Sequence, residues 1–463
     1  PEEHAHYLQT YAQDIPNWPF VSVDFGPGAG ESTHDADEEL IAPITAAEIS
    51  TAWCNKKLGS MPYCADKFGI SYTHLRKCEC QEVVSLIHQG LVMFGKPQPR
   101  DNHVLTVVIP KNGEGRNYSK PKAWREISWR SCIVKTFTAI YNNRIMNWLQ
   151  ASAKIPDMLV ASRKGVPATL YATRLVQTTI FAARSLRMSA AIIFLDLSQF
   201  YPRITKSRLV DAMIWLKVPR SMIDRFVALH TNKTASLVIA GKITTEYAIN
   251  GALQGCSSSV IAGILVTIPL AIRIERLGLG LKWPIRELKL QARESFGALC
   301  VDDMAIPVGL GCDKRNVLTP DQCIDQVQTV LDTVSEWSAM TGIPFDKDKA
   351  AVIAMLYDKQ GNEVILQRKV KALTNDGPHL IDIQSVEAAK YQYLGLQVVN
   401  PADSHSNVKA VHSKLTEIGK ELYKTQAVPP VSLADTVATV AFGKMKYIYG
   451  KVPIMVCDQN LIV

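Results

Sequence analysis

The chain has 463 residues, with 51 Lys+Arg against 43 Asp+Glu for a formal charge of +8, and 47% of its residues are hydrophobic. That composition excludes a disordered or collagen-like polypeptide and supplies apolar material for a large core, about three domain-sized units or one elaborate catalytic domain. The charge is unevenly spread: residues 1–55 carry ten acidic side chains and no Lys or Arg, which leaves the remaining 408 residues at +18, a body suited to a polyanionic partner.

In chain order, residues 1–45 read as weakly structured, with a Gly26-Pro27-Gly28-Ala29-Gly30 turn that lacks the flanking strand and helix of a nucleotide loop. Thr45-Ala46-Ala47-Glu48 is a capping box that predicts a helix to about Asn55. A second helix is predicted over 75–90 from the spacing of Val83, Val84, Ile87 and Leu91. Leu105 to Ile109 reads as a strand, then a basic, turn-rich stretch, then a helix from Ile133 to Leu149. Ala190 to Leu197 is a continuous apolar run containing Asp196, the pattern of a buried central strand. Residues 237–249 predict a hairpin around Gly241-Lys242. Residues 260–272 form an apolar run of 13 residues broken by Gly263 and Pro269, short of the about 20 of a membrane span, and predict a buried helix. Phe296–Val301 and Met304–Val308 are apolar runs separated by Asp302-Asp303; a helix follows over 322–340, ended by Gly342. Lys349–Met355 and Tyr391–Val399 read as strands, and the pattern is helical after Ser404. Strands and helices interleave without regular βαβ units, which predicts an α+β fold.

The ten cysteines follow no regular framework and suit a reducing compartment. Cys54, Cys64, Cys78 and Cys80, with His74 nearby, lack the spacing of a zinc knuckle or finger. A chain that starts at Pro1 is expected to be a fragment or processed piece of a longer protein.

The carboxylates carry the chemistry. Asp196 ends a hydrophobic strand, and Asp302-Asp303 sit in a tight turn between two more. Hairpin geometry would set that pair beside the end of the first strand. Charged Asp is rarely buried unless paired or bound to a cation. Converging carboxylates with hard oxygen ligands favour Mg²⁺, and two such ions suit phosphoryl transfer.

With these residues in view, the chain resembles the reverse transcriptases of non-LTR (LINE-type) retrotransposons. Val108-Ile109-Pro110-Lys111 with Trp124-Arg125-Glu126-Ile127-Ser128 resembles the fingers motif, and Phe194-Leu195-Asp196-Leu197-Ser198-Gln199-Phe200-Tyr201 resembles motif A. Leu253-Gln254-Gly255-Cys256-Ser257-Ser258-Ser259 is similar to motif B, Cys300-Val301-Asp302-Asp303 to motif C, and Trp337-Ser338, Gly342 and Lys349 to motif D. Tyr391-Gln392-Tyr393-Leu394-Gly395 is similar to motif E. Each motif alone is common; six in this order over about residues 45–455 make the resemblance. Val301 stands where relatives of this type usually have Ala, Ala123-Trp124-Arg125-Glu126 replaces the usual Asn-Tyr-Arg-Pro, and motif B has Cys-Ser-Ser-Ser where Pro is common. None of these departures removes a carboxylate, but they leave the subfamily open.

The resemblance implies a right-hand polymerase with fingers, palm and thumb and a ferredoxin-like antiparallel palm sheet. Its parts would be an acidic extension (1–55), fingers (56–189), palm with part of the fingers inserted (190–403) and the start of a helical thumb (404–463). It implies that Asp196, Asp302, Asp303 and the Leu197 carbonyl hold two Mg²⁺, with Mn²⁺ as a substitute. Lys111, Arg125, Tyr201, Gln254, Gly255 and Lys349 would bind the dNTP, and Tyr393, Leu394 and Gly395 would form the primer grip. RNA-dependent RNA polymerases have an Asp where Tyr201 stands; a Tyr ring there would collide with a ribose 2′-OH and select deoxynucleotides. The basic stretch from Lys111 to Lys135, seven Lys/Arg with Tyr118, Trp124 and Trp129 among them, suits a template groove. The implied partners are an RNA template, a DNA or RNA primer, dNTPs and further domains of the same polyprotein, with no membrane and, for a eukaryotic retroelement, a nuclear location. The competing expectation is a domesticated, catalytically silent relative acting as an RNA-binding scaffold. Such relatives usually lose a metal carboxylate, whereas all three are kept here.

Overall fold

A computed structural model describes residues 34–54, 69–94, 102–111, 117–120, 123–152, 154–163, 165–230, 233–239, 242–282, 294–311, 317–374, 376–389, 391–394 and 396–398. The fold is α+β, with mixed sheets. The helices are α1 (His34–Ile41), α2 (Ala46–Cys54), α3 (Tyr72–Lys77), α4 (Gln81–Phe94), α5 (Cys132–Ala151), α6 (Ala168–Leu186), α7 (Phe200–Arg203), α8 (Lys206–Trp215), α9 (Arg220–Ala228), α10 (Ser257–Arg276) and α11 (Pro320–Thr341). The strands are β1 (His103–Pro110), β2 (Trp124–Trp129), β3 (Ala190–Asp196), β4 (Lys233–Ile239), β5 (Lys242–Ile243), β6 (Tyr247–Ile249), β7 (Leu281–Lys282), β8 (Glu294–Ser295), β9 (Ala298–Cys300), β10 (Asp303–Gly309), β11 (Ala351–Met355), β12 (Lys369–Thr374), β13 (Gly377–Gln384), β14 (Gln392–Tyr393) and β15 (Leu396–Gln397).

The chain divides into two compact units, each assembled from separate stretches: residues 1–156, 198–273 and 336–344 in the first, the rest in the second. In the first unit, β2, β1, β4 and β5 lie in that order, with β6 also paired to β4. β1 runs antiparallel to β2 and parallel to β4. Within the stretch 1–45 read as weakly structured, residues 34–41 form α1, held through Asp37, and the helix predicted from the Thr45 box forms as α2. Glu48 accepts from the Thr45 N–H at 3.0 Å while the Glu48 N–H donates to Thr45 Oγ1, the predicted capping box. The same Glu48 takes a two-pronged contact from Arg144 of α5 (Nε at 2.9 Å, Nη2 at 2.8 Å), and Trp148 Nε1 donates to Asp37.

The single helix predicted over 75–90 is two helices. Ser71 and His74 form a capping box that starts α3, and Glu79 at φ +47° breaks the chain before α4. His74 thus has a capping role. Val84 and Leu91 are buried, whereas Val83 is exposed, so the apolar spacing overstated the buried face. The predicted buried helix is also longer than its apolar run. α10 continues through Pro269 to Arg276, and its window is long and apolar enough for a membrane span by composition, yet 78% of it is buried inside the protein.

The second unit holds a six-stranded sheet in the order β12-β13-β11-β3-β10-β9. β3 is antiparallel to both neighbours, β9 is antiparallel to β10, and β11 is parallel to β13. Numbered by chain order, β3, β9, β10 and β11 stand 4-1-3-2. All seven residues of β3 and all five of β11 are buried, which is why both read as unbroken apolar runs. Alternate residues Ala190, Ile192 and Phe194 join one core cluster with Ala172, Val176, Ile180 and Ala183 of α6. The β12–β13 hairpin has no counterpart in the sequence reading, although β12 alternates exposed and buried positions. The strand predicted over 391–399 is broken: β14 and β15 are two residues each, turned at Leu394 with φ +48°. The Gly26–Gly30 turn, Cys64, Gly395, the Gly241 hairpin tip and the helical stretch after Ser404 lie outside the described residues.

Candidate active site

The hairpin of β9 and β10 places the Asp pair at the end of β3. Cys300 pairs with Asp303 across the hairpin, and Asp303 is the direct register partner of Asp196. The two-residue turn between them puts Val301 at φ +66°. That left-handed conformation is unfavourable for a β-branched side chain and is tolerated because the flanking strands hold it. The Asp302 carbonyl accepts from the Leu197 N–H at 3.0 Å, which ties the turn to the chain just beyond Asp196. Asp196 is 6% exposed, and Asp302 and Asp303 are half-buried.

Burial raises the Asp303 carboxyl pKa to about 7; the negative charges of Asp302 and Asp196 and a hydrogen bond with Asp196 add to it, against the opposing charge of Lys349. Lys349 Nζ donates to Asp196 Oδ2 at 2.7 Å. Burial alone would lower the Lys349 pKa, but the bond and charge of Asp196 outweigh it and hold the ammonium protonated. Below about pH 7 a proton on Asp303, together with the Lys349 ammonium, offsets the converging charge. Among the described residues, no three His, Cys, Asp or Glu side chains are gathered into a ready cation cage. The donor set itself, carboxylate oxygens whose mutual repulsion pushes a proton affinity upward, fits a hard divalent cation.

The sign of the Asp303 shift sets a stability prediction. A carboxyl whose folded pKa is raised stabilises the fold at low pH, and that contribution disappears as pH rises from about 4 through about 7. The melting temperature of the metal-free protein should therefore fall over that window relative to Asp303→Asn, whose amide does not titrate. Parallel melting curves for the two proteins across pH 4–8 would show that Asp303 carries no such linkage.

The backbone around Lys349 is fixed at the same strand end. The Asp346 N–H donates to the Asp196 carbonyl at 2.9 Å, the Lys349 N–H to the Asp346 carbonyl at 3.1 Å, and Tyr391 Oη to the Lys349 carbonyl at 2.8 Å. The rings of Tyr391 and Tyr393 lie 4.7 and 5.2 Å from that of Phe194, two residues before Asp196. Tyr393 is thus buried as core, and Leu394 supplies the turn. Tyr391 lies in the segment similar to motif E but outside the residues expected to form the site; its hydroxyl holds the Lys349 carbonyl.

In the first unit the remaining predicted residues form a separate group. Lys111 and Arg125 lie at the paired ends of β1 and β2, where Ile109 faces Arg125 and the Lys111 N–H donates to the Ala123 carbonyl at 2.8 Å. Arg125 is exposed and Lys111 partly so. The Gln254 carbonyl accepts from the Ser128 N–H at 2.8 Å. Gly255 has φ +89°, and a Cβ there would stand 3.1 Å from the Ile127 side chain, so the glycine serves a close approach to β2. Tyr201 in α7 is half-buried, and its carbonyl accepts from the Ala252 N–H at 3.0 Å. Gln254, Pro202, Glu126, Ser128, Thr106 and Tyr247 border a small open pocket. The pocket had no signal in the sequence, since it is made by the 247–254 segment folding back on β2. Lys233 is buried beneath it, with Nζ donating to the Gly251 carbonyl at 2.6 Å, and burial lowers its pKa to about 7. In the sequence Lys233 is one more basic residue.

The chain matches no protein-family model and no curated protein.

Proposed function

We propose that the protein is an RNA-directed DNA polymerase of a retroelement, extending a DNA or RNA primer on an RNA template, with target-primed initiation among the compatible modes. The observation that carries this reading is the direct pairing of Asp196 with Asp303 on a 4-1-3-2 antiparallel arrangement, with a two-residue turn bearing Asp302 and a Lys at the same strand end. That strand order is ferredoxin-like, as in the palm of a right-hand polymerase, and the first unit would then supply the fingers. Fold alone does not assign the chemistry, so the weight rests on these side chains.

In this reading Asp196, Asp302 and Asp303, with the Leu197 carbonyl, would hold Mg²⁺. Two such ions, when bound, supply charge that activates the primer 3′-hydroxyl and steadies the leaving pyrophosphate. The residues of the chain itself bind and select. Lys111 and Arg125 present cationic groups for a triphosphate, whose negative charge they match through the reaction. Gln254 and Gly255, docked on β2, would bound the nucleotide, and the buried Tyr393 with Leu394 and Gly395 would support the primer strand. Tyr201 would exclude a ribose 2′-OH by its ring. Replacing it with Val should raise ribonucleotide incorporation relative to deoxynucleotide by about tenfold or more, read from single-nucleotide extension with each substrate. Unchanged selectivity would remove Tyr201 as the gate.

The test of the reading is primer extension on an RNA template with dNTPs and Mg²⁺ or Mn²⁺. Template-dependent DNA synthesis supports it. Tight, salt-dependent RNA binding with no synthesis under either metal would overturn it in favour of a silent RNA-binding scaffold.

A further inference from the structure

We propose that the Lys349 ammonium is a built-in competitor for the divalent cation at Asp196, seated on the carboxylate in the metal-free protein and displaced when a cation takes that place. The inference rests on the polymerase reading, which makes Asp196 a metal ligand, and it concerns the order of events at that ligand.

Three features point to it. The contact is a single charge-assisted bond, Nζ to Oδ2 at 2.7 Å, on a carboxylate that retains only 9% of its side-chain exposure. A carboxylate so buried requires a cationic or hydrogen-bonding partner, and Lys349 supplies it. The partner, by contrast, is accessible: the Lys349 side chain is 56% exposed. Its charged end can therefore swing into water by rotations of its own stem, without unpacking the core.

The backbone is held while the side chain is free to exchange. The Tyr391 hydroxyl, the Asp346 carbonyl and the Asp346 N–H on Asp196 together anchor residues 346–349 at the end of β3. The ammonium is thus tethered at high effective concentration beside one oxygen of Asp196. A divalent cation must displace it, and its apparent affinity falls by the fraction of molecules in which the carboxylate is already taken. Once displaced, the ammonium stays within a side chain's length and is available to a polyanion such as a triphosphate. One Lys cannot serve both partners at once, so arrival of a triphosphate would favour cation entry at Asp196, and reciprocally.

The experiment is a Mn²⁺ titration of the full chain without nucleotide, followed by the electron paramagnetic resonance signal of free Mn²⁺. It compares the unaltered protein with Lys349→Met, Lys349→Arg and Asp196→Asn. Lys349→Met keeps the stem and removes the charge, and is expected to bind Mn²⁺ about fivefold more tightly, the upper end of what a partly exposed ion pair contributes. Lys349→Arg retains a cation and should stay within about twofold of the unaltered protein, while Asp196→Asn should lose the tighter site. Equal or weaker binding by Lys349→Met, with Mn²⁺ still bound and lost in Asp196→Asn, overturns the competition and leaves the metal assignment standing. No Mn²⁺ bound by either the unaltered protein or Lys349→Met overturns both.

Discussion

Replacing Asp302 by Ala is expected to reduce primer extension by about a thousandfold or more while RNA binding stays within about twofold. The rate loss follows from removing one of three carboxylates that would hold the ions; a loss of about 4 kcal/mol of transition-state stabilisation corresponds to that factor. In the proposed reading template binding would draw on basic residues that the substitution does not touch, so it should survive and keep its dependence on salt. The same change should leave the fold intact or stabilise it. Asp302 contributes repulsion that raises the Asp303 pKa, so its removal relieves charge crowding at the end of β3. Activity and melting temperature should therefore move in opposite directions, a signature that a merely destabilising substitution cannot produce. Extension assays and thermal melts on the same preparations check it, and full retained activity would remove the metal assignment.

Phe194→Ala should destabilise the protein by about 3–5 kcal/mol, the cost of emptying a fully buried aromatic site in a central strand. Phe194 is inaccessible to solvent, sits between paired β10 and β11, and packs on the rings of Tyr391 and Tyr393. Aromatic contacts of this kind add about 0.5–1.5 kcal/mol beyond the buried area. The loss would also loosen Tyr391, whose hydroxyl holds the Lys349 carbonyl. Urea unfolding of the two proteins measures the difference. A cost below about 1 kcal/mol would mean that Phe194 is not packed as described.

The parts of this architecture that local sequence determines are those whose signal is local. The unbroken apolar run of β3 requires burial on both faces, and the Thr45–Glu48 box starts α2 by satisfying its own amides. The Asp302-Asp303 turn between apolar runs is a hairpin, and that places a carboxylate beside Asp196. Where local spacing misled, a tertiary partner or one backbone angle had overruled it. Glu79 at φ +47° splits a helix that apolar periodicity ran together, and in α1 Asp37 accepts from Trp148 of α5, a tertiary partner that no local pattern announced.

The site divides along the same line. The three carboxylates stood out by residue type and order, and Lys111, Arg125, Tyr201, Gln254 and Lys349 by the family resemblance; of these the structure brings Asp196, Asp302, Asp303 and Lys349 together at the end of β3. The partnership of Lys349 with Asp196, the anchoring of its backbone by Tyr391, the burial of Lys233 and the pocket beside Gln254 were decided only in three dimensions. Lys349 and Asp196 are 153 residues apart in the chain. Local propensity acts over a few residues, whereas the charge on a carboxylate and its protonation depend on what the folded chain sets within a few ångströms of it.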